Sequence, residues 1–204
     1  MATKSVQKRE ADGKCDAPPQ KKQFGHWSQG LKSSMDDPEL RIDADEKIVI
    51  IKDKYPKAKF HFLLLPKISI PNLKSLTKEH VELLQHIEKK GKALAKKSDP
   101  NLEFRFGYHA VPSMSLLHMH VISQDFDSPC LKNKKHWNSF TTEYFVDSSD
   151  IIKQLQERGR VELDTSRFQE MLKRNLRCHV CKKDLPTIPA LKTHIKLHSY
   201  SKKS

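Results

Sequence analysis

Four segments between residues 47 and 122 carry the apolar patterns that are typical of β-strands. Residues 47–53 (KIVIIKD) and 59–66 (KFHFLLLP) are rich in branched and aromatic side chains and flank a short polar loop. Residues 102–111 (LEFRFGYHAV) alternate apolar and polar positions, and residues 116–122 (LLHMHVI) form a shorter apolar run. We therefore predict a strand in each of these segments.

The chain between the second and third predicted strands has the period of an amphipathic helix. In residues 76–97, Val81, Leu84 and Ile87 fall on one face, and Thr77 stands at the expected N-cap. Earlier in the chain, a short helix is predicted from residues that share one apolar face, namely Phe24, Trp27 and Leu31. Strands with a long helix between them predict an α+β main domain.

Composition changes at both ends of this predicted domain. Residues 1–23 hold almost no large apolar side chain, which predicts a disordered basic linker. Residues 149–175 are charged, with scattered apolar positions that favour helix. We therefore place the main domain at residues 24–165 and a helix with a small C-terminal module at residues 166–204.

The C-terminal module contains a strong metal-ligand pattern. The spacing Cys-x2-Cys-x12-His-x3-His is that of a zinc finger, with the ligands Cys178, Cys181, His194 and His198. Leu185 and Leu191 stand where a ββα finger needs apolar residues. Because so small a unit has too little core to fold without metal, we predict one structural zinc ion. Nucleic-acid binding and a purely structural role both remain open for the finger.

Charge and cysteine usage narrow the class of protein. Lys and Arg outnumber Asp and Glu by 38 to 25, and the net charge of +13 favours a polyanionic partner such as nucleic acid. No apolar run approaches the length of a membrane span, so no membrane association is expected. Four cysteines without the spacing of a disulfide framework indicate a reducing compartment, either the cytosol or the nucleus. Of these two, the nucleus is the expected location.

His118 and His120 are separated by one residue in an apolar segment. In a strand both side chains point to the same face, which Leu116 shares. One imidazole can attack phosphorus, and the other can stabilise charge on the phosphate oxygens. His61 and His109 lie in neighbouring predicted strands and are further candidates for this site. Zinc binding is the competing use of the pair, although no third ligand stands at a suitable spacing.

The motifs HFLLLP, GYHAVPSMS and HMHVISQDFDSP, followed by the finger, resemble the histidine-triad hydrolases and, among them, the aprataxin family. The resemblance extends from Phe24 to His198 and implies a histidine-triad fold, an antiparallel sheet with helices, followed by the finger. It implies a hydrolase that removes AMP from DNA 5′ ends left by abortive ligation, through a covalent AMP–histidine intermediate, in single-strand break repair. Leu116 departs from the family pattern, which has histidine there.

The resemblance also implies a role for each matched residue. His118 would be the nucleophile and His120 would hold the transition-state phosphate, while His61 or His109 would take the place of the histidine that the family pattern has at position 116. The implied nucleotide and phosphate contacts are Asp53, Lys54, Tyr55, Lys57, Ser113 and Met114. The implied DNA contacts are Trp27, Ser34, Lys132 and Lys135. A leaving phosphate is a weak base that needs little general-acid help, and we expect no metal in the chemical step.

The expected partners are DNA with 5′-adenylated ends, at nicks, breaks and RNA–DNA junctions, and AMP as the product. We expect a monomer. One alternative is a histidine-triad hydrolase of small nucleotide phosphoramidates, against which the basic charge and the finger argue. The other is a non-enzymatic zinc-finger protein that binds nucleic acid and carries a degenerate site, which leucine in place of histidine at position 116 would allow.

Overall fold

A six-stranded antiparallel sheet forms the centre of the molecule. The computed structural model describes residues 27–198, with side chains from Gly30 onward. The strands are β1 (Arg41–Ala44), β2 (Ile48–Lys52), β3 (His61–Pro66), β4 (Phe104–His109), β5 (Met119–Ser123) and β6 (Phe145–Asp147). Their order across the sheet is β1-β2-β3-β5-β4-β6.

Six α-helices, two short 3-10 helices (Leu73–Ser75 and Lys78–His80) and a short hairpin complete the described chain. The helices are α1 (Trp27–Asp36), α2 (Val81–Ser98), α3 (Lys134–Thr141), α4 (Ser148–Arg158), α5 (Phe168–Lys173) and α6 (Ile188–Ile195). The hairpin consists of β7 (Leu176–Arg177) and β8 (Asp184–Leu185), which pair antiparallel in front of α6. The α+β fold with a C-terminal ββα finger that the sequence predicts is thereby confirmed.

One face of the sheet forms the main core with α2 and α4. Met119 and Val121 of β5 point to this face and pack against the apolar side of α2, which includes Leu84 and Ile87. Full burial of each such side chain contributes roughly 1.5–3 kcal/mol to stability. Helix α2 lies so close to the sheet that a Cβ at Gly91 would stand 2.8 Å from the Met119 methyl group.

The opposite face of the sheet carries two smaller apolar clusters with polar side chains between them. Leu31 of α1 packs on Leu63 and Leu65 of β3 at one end of this face. Phe140 of α3 packs with Ile122 of β5 at the other end. Because side chains alternate along a strand, the histidines of β3 and β5 lie on this same face, between the two clusters.

The described strands and helices differ from the sequence prediction at β5, at α4 and at three elements that were not predicted. Strand β5 begins at Met119 rather than at residue 116, because Leu116 has a φ of 78°, which no β-strand accommodates. The helical segment predicted at residues 149–175 is interrupted after Gly159, whose φ of 72° ends α4. Strands β1 and β6 and helix α3 were not predicted.

Several expectations concern the chain ends and the cysteines. The linker predicted at residues 1–23 and the side chain of Phe24 lie outside the described residues. Cys130 is buried, at 3% exposed. Within residues 27–198, no helix is long and apolar enough to cross a membrane.

Candidate active site and zinc centre

Four histidines meet on the face of the sheet opposite α2. His61 lies in β3, His109 ends β4, His118 immediately precedes β5, and His120 is the second residue of β5. The His120 ring is central, with centroid distances of 5.2 Å to His61, 4.5 Å to His109 and 4.9 Å to His118. The structure therefore brings together all four candidates, and the rings of His118 and His120 are neighbours although His118 precedes the strand that was predicted to hold both.

Burial keeps these imidazoles neutral. His61, His118 and His120 are 4%, 5% and 3% exposed. Burial lowers the pKa of His118 and lowers the pKa of His61 to about 4. The pKa values of His109 and His120 fall well below 6.5, because burial is reinforced by repulsion from neighbouring histidines. At physiological pH the cluster therefore offers lone pairs and N–H donors rather than positive charge.

A main-chain group fixes the tautomer of His118. Its Nδ1 lies 2.8 Å from the carbonyl oxygen of Leu116, and a carbonyl can only accept, so Nδ1 carries the proton. The lone pair of the neutral ring is then on Nε2, which is the atom that can act as a nucleophile. The Leu116 side chain meanwhile packs beside Met114 in the apolar cluster of α1 and β3.

A second hydrogen-bond chain fixes the tautomer of His120. The Lys57 backbone N–H donates to Nδ1 of His61 at 3.1 Å, so His61 carries its proton on Nε2. That Nε2–H donates to Nδ1 of His120 at 2.9 Å, which leaves the His120 proton on Nε2. Within the described chain, Nε2 of His120 is buried and has no hydrogen-bond partner. A buried N–H donor without a partner is suited to an incoming phosphate oxygen.

Asp53 adds a carboxylate to this site. Its Oδ2 lies 3.5 Å from Nδ1 of His61, and its charge raises the pKa of His61 and His118 against the larger effect of burial. Asp53, His61 and His120 are close enough to hold a metal ion together, but His118 is not part of this group. Both ring nitrogens of His61 already take part in hydrogen bonds, which favours the hydrogen-bonded chain over a metal centre.

The loop between β2 and β3 carries the other predicted nucleotide contacts. Lys54 is exposed, while Tyr55 and Lys57 are half-buried. Burial lowers the pKa of Lys57, and the nearby Asp53 carboxylate opposes this change. The positive charge of Lys57 in turn lowers the pKa of His61, which places the ammonium group within electrostatic reach of the cluster.

The loop before β5 carries Ser113, which is exposed, and Met114, which is half-buried. A cavity of about 420 Å3 borders this loop. It is lined by residues from three segments, namely Pro71–Lys74, Ala110–Ser115 and Thr165. The predicted phosphate-binding loop therefore borders a concave surface, whereas the four imidazoles lie beneath the surface.

The predicted DNA contacts lie on α1 and near the beginning of α3. Ser34 is half-buried, and its hydroxyl group donates to the Gly30 carbonyl at 2.8 Å. Lys132 and Lys135 are exposed. Trp27 begins α1, but its side chain lies outside the described part of the chain.

Two aromatic residues of α3 have structural positions that the sequence did not indicate. Trp137 is fully buried and donates from Nε1 to the Arg177 carbonyl at 3.0 Å. Phe140 packs edge-on against His61 and His120, with a centroid distance of 5.3 Å to each. Phe140 was missed because α3 has no apolar period strong enough to predict it.

The predicted zinc ligands converge at the C-terminal finger. The Sγ atom of Cys178 lies 3.3 Å from Nε2 of His198, and Sγ of Cys181 lies 3.1 Å from Nε2 of His194. All four ligand atoms lie within 4.8 Å of one another. Bonds of about 2.0–2.3 Å to a central ion would fit such spacing, so the donor set suits tetrahedral zinc. Lys182, with a φ of 63°, turns the chain beside the cysteine pair.

The finger shares its core with the main domain. Leu191 and Ile195 of α6 are buried in one cluster with Phe126 and Leu131 of the main domain, and Leu185 packs against that cluster. His179, next to the first zinc ligand, hydrogen-bonds the Gln124 carbonyl at 3.0 Å, directly after β5. The finger is therefore attached directly after β5, the strand that carries His120.

Comparisons with known proteins agree with this architecture. The C-terminal binding domain of the scavenger mRNA decapping enzymes matches residues 28–136, and the C2HE/C2H2/C2HC zinc-binding finger matches residues 141–200. The aprataxin of Gallus gallus is 57% identical over 180 residues, which are 87% of this chain and 57% of that protein. An aprataxin-like protein of Saccharomyces cerevisiae is 30% identical and is matched over 95% of its length by 84% of this chain.

A solved structure has the same fold. The crystal structure of the aprataxin ortholog Hnt3 in complex with DNA matches with a TM-score of 0.68 and 26% identity, over 83% of this chain and 93% of that chain. The chain spans only about half of the length of the aprataxins of Gallus gallus and Danio rerio, at 57% and 54%.

Proposed function

This chain belongs to the aprataxin family, and on that premise we propose that it hydrolyses 5′-adenylated DNA and releases AMP in the repair of single-strand breaks. One observation carries the proposal: the neutral His118 ring has its lone pair on Nε2, and the neighbouring His120 ring, 4.9 Å away between centroids, has an Nε2–H donor without a partner. A nucleophile and a donor for phosphate oxygen are the two groups that transfer of AMP to histidine requires.

In the first step, Nε2 of His118 attacks the phosphorus atom of AMP in the pyrophosphate that joins AMP to the DNA 5′ end. The new N–P bond forms as the bond from phosphorus to the bridging oxygen breaks, and the DNA 5′-phosphate leaves with the electron pair. The imidazole becomes a phosphoramidate cation, which the Leu116 carbonyl stabilises through Nδ1–H. In the second step water attacks phosphorus, the N–P bond breaks, AMP leaves, and the water proton passes to solvent.

The remaining site residues would bind and orient the adenylate. Nε2–H of His120 would donate to a non-bridging oxygen, and the ammonium group of Lys57 would offset the negative charge of the phosphates. Asp53 would accept hydrogen bonds from the ribose hydroxyls, as a carboxylate at the edge of the site can. His61 orients His120, and His109 packs against the His120 ring. Lys54, Tyr55, Ser113 and Met114 would line the nucleotide.

DNA would lie along the basic surface near α1 and α3. Lys132 and Lys135 are exposed for contacts to the phosphate backbone, and Ser34 and Trp27 lie on α1. The net charge of +13 favours DNA as the substrate over a free nucleotide. DNA nicks, breaks and RNA–DNA junctions are the proposed end structures, and a monomer in the nucleus is the proposed state.

Zinc in the finger would act as a structural cross-link between β7, β8 and α6. Its proposed ligands are Cys178, Cys181, His194 and His198. The chemical step needs no metal in this proposal, because the leaving phosphate is a weak base and His118 is already a neutral nucleophile.

The decisive experiment incubates the zinc-loaded protein with 5′-adenylated nicked DNA and measures AMP release. We expect AMP to be released and an acid-quenched AMP adduct to form on the wild-type protein, and neither to occur with His118→Ala. Adduct formation from DNA is inconsistent with the non-enzymatic alternative. Turnover of a small AMP phosphoramidate without turnover of adenylated DNA would instead overturn the proposal in favour of a small-nucleotide hydrolase.

A further inference from the structure

The finger reaches the active-site loop through one lysine. Lys192 of α6 extends its ammonium group to the Ser128 carbonyl of the main domain, at 2.8 Å. Ser128 is 4% exposed, and its hydroxyl group donates to the Pro56 carbonyl at 2.5 Å. Pro56 lies in the loop between β2 and β3 and immediately precedes Lys57. Two successive hydrogen bonds therefore join α6 to the loop that borders the histidine cluster.

Apolar packing joins the same two segments. Ala58, which follows Lys57, is 1% exposed and lies in one buried cluster with Leu191 of the finger. Leu191 and Lys192 are consecutive residues of α6. Leu191 packs in the buried cluster with Ala58, and Lys192 donates to Ser128, which contacts the same loop. The loop is therefore fixed from the side of the finger by two kinds of contact.

The backbone of this loop sets the donor of His120. The Lys57 N–H orients His61, and His61 orients His120, so that the proton of His120 is held on Nε2. If the loop moves away, Nδ1 of His61 loses its donor, and the His61 ring is free to take the other tautomer. His120 would then lose the partner that holds its own proton on Nε2.

We propose that Lys192 is a positioning residue for the catalytic histidines, acting through Ser128 and the Pro56–Lys57 peptide rather than through DNA or zinc. This inference rests on the proposed function for its effect on turnover, but its effect on the loop can be measured without substrate. It makes the finger a part of the active-site support and not only a contact for the DNA backbone.

Amide hydrogen exchange at Lys57 in the full, zinc-loaded chain tests the proposal directly. We expect Lys192→Met to accelerate exchange of this amide roughly tenfold, since a hydrogen bond from a charged donor is lost. Lys192→Arg keeps a donor and should restore slow exchange. The matched control is Lys196→Met, which removes one exposed lysine from the same end of the finger and should leave the Lys57 amide unchanged. Equal exchange in Lys192→Met and Lys196→Met would overturn the proposal.

Ser128→Ala tests the intermediate link. Ser128→Ala should accelerate exchange of the Lys57 amide as Lys192→Met does. The double variant, Ser128→Ala with Lys192→Met, should exchange only slightly faster than either single variant, because both changes break the same chain of contacts. Fully additive effects would contradict that chain. Zinc content and the thermal midpoint are measured for each variant. Values equal to those of the wild-type protein exclude unfolding of the finger as the cause of faster exchange.

Turnover of a small AMP phosphoramidate supplies the functional readout. This substrate has no DNA, so a loss of kcat roughly fivefold in Lys192→Met but not in Lys196→Met would follow from the histidines and not from DNA binding. An unchanged kcat in Lys192→Met would overturn the catalytic part of the inference. If the wild-type protein turns over neither this substrate nor adenylated DNA, the proposed function fails, while the exchange result still decides whether Lys192 holds the loop.

Discussion

Main-chain atoms set the chemistry of the histidine cluster at the level of single residues. The Leu116 carbonyl and the Lys57 amide each fix which nitrogen of a ring carries its proton. The side chain at position 116 contributes packing in the cluster of α1 and β3 instead. The absence of histidine there therefore leaves the orientation of His118 intact.

Leu116→Ala tests this division between side chain and main chain. We expect AMP release from adenylated DNA to stay within about twofold of wild type, because the carbonyl remains. The free energy of unfolding should fall by roughly 1 kcal/mol, since part of a half-buried side chain is removed. Turnover and urea denaturation measure the two effects. Loss of turnover without loss of stability would show that the leucine side chain itself is needed.

Burial places the pKa of His118 below its ordinary value of 6.5. This pKa should set the pH below which the enzyme loses activity. Protonation of Nε2 removes the nucleophile, so kcat/KM should fall as pH drops through this lowered pKa and be flat above it. A pH–rate profile measures this loss, which we expect below pH 6.5. A midpoint above pH 6.5 would contradict a neutral, buried His118.

His61 gives a parallel prediction for stability. Its pKa is about 4 in the folded chain and near 6.5 when unfolded, so the unfolded state binds the proton first as pH falls. The free energy of unfolding should therefore decrease from pH 6.5 towards pH 4, by on the order of 3 kcal/mol from this residue. Urea denaturation at several pH values measures it, and His61→Asn should flatten the curve.

At the scale of elements, the sequence predicted strands β2–β5 and helix α2 because their periods are long and regular. It also brought out the histidine pair and the four zinc ligands, whose spacing along the chain is diagnostic. It could not predict β6, which has three residues, or α3, whose Trp137 and Phe140 are explained only by the finger and the histidines that they contact. The tautomers, too, depend on contacts between distant segments.

Gly107 marks a place where two strands approach too closely for a side chain. A Cβ there would stand 2.3 Å from the Val146 carbonyl oxygen of β6. Gly107→Ala should force β4 and β6 apart and lower the free energy of unfolding by roughly 1–3 kcal/mol. Gly30→Ala is the matched control, because a Cβ there meets nothing within 4 Å and the helix gains about 0.5–1 kcal/mol. Equal stability of the two variants would contradict the close approach.

At the scale of the whole molecule, the boundary between domain and finger does not divide the core. Leu191 and Ile195 of the finger are buried with Phe126 and Leu131 of the main domain. The domain boundary near residue 165 stays a prediction. Side chains from before and after this residue pack in the same buried cluster. A ligand that holds the finger together should therefore also stabilise the sheet.

Removal of zinc tests this coupling. We expect a chelator to lower the thermal midpoint of the whole chain, seen by signals from both the sheet and the finger, because one buried cluster spans both. His198→Ala should have the same effect without chelator. A finger that melts alone, with the main transition unchanged, would contradict the shared core.

DNA affinity is the second property of the whole surface. Lys135→Ala should weaken binding to all DNA sequences alike and reduce the salt dependence of the affinity by about one phosphate contact. Lys96→Ala removes an exposed lysine from α2, on the face of the sheet away from the histidines, and serves as the control. Binding measured across salt concentrations separates the two, and equal losses would refute a defined DNA path near α3.

The carbonyl that orients His118 has an evolutionary consequence. A peptide oxygen is present whatever amino acid a codon specifies, so no substitution at position 116 can delete this acceptor from the protein. Selection there acts only on the backbone turn and on the shape of a side chain. A substitution at position 116 is consequently limited by the positive φ of that turn and by the space for a side chain, and not by loss of the acceptor.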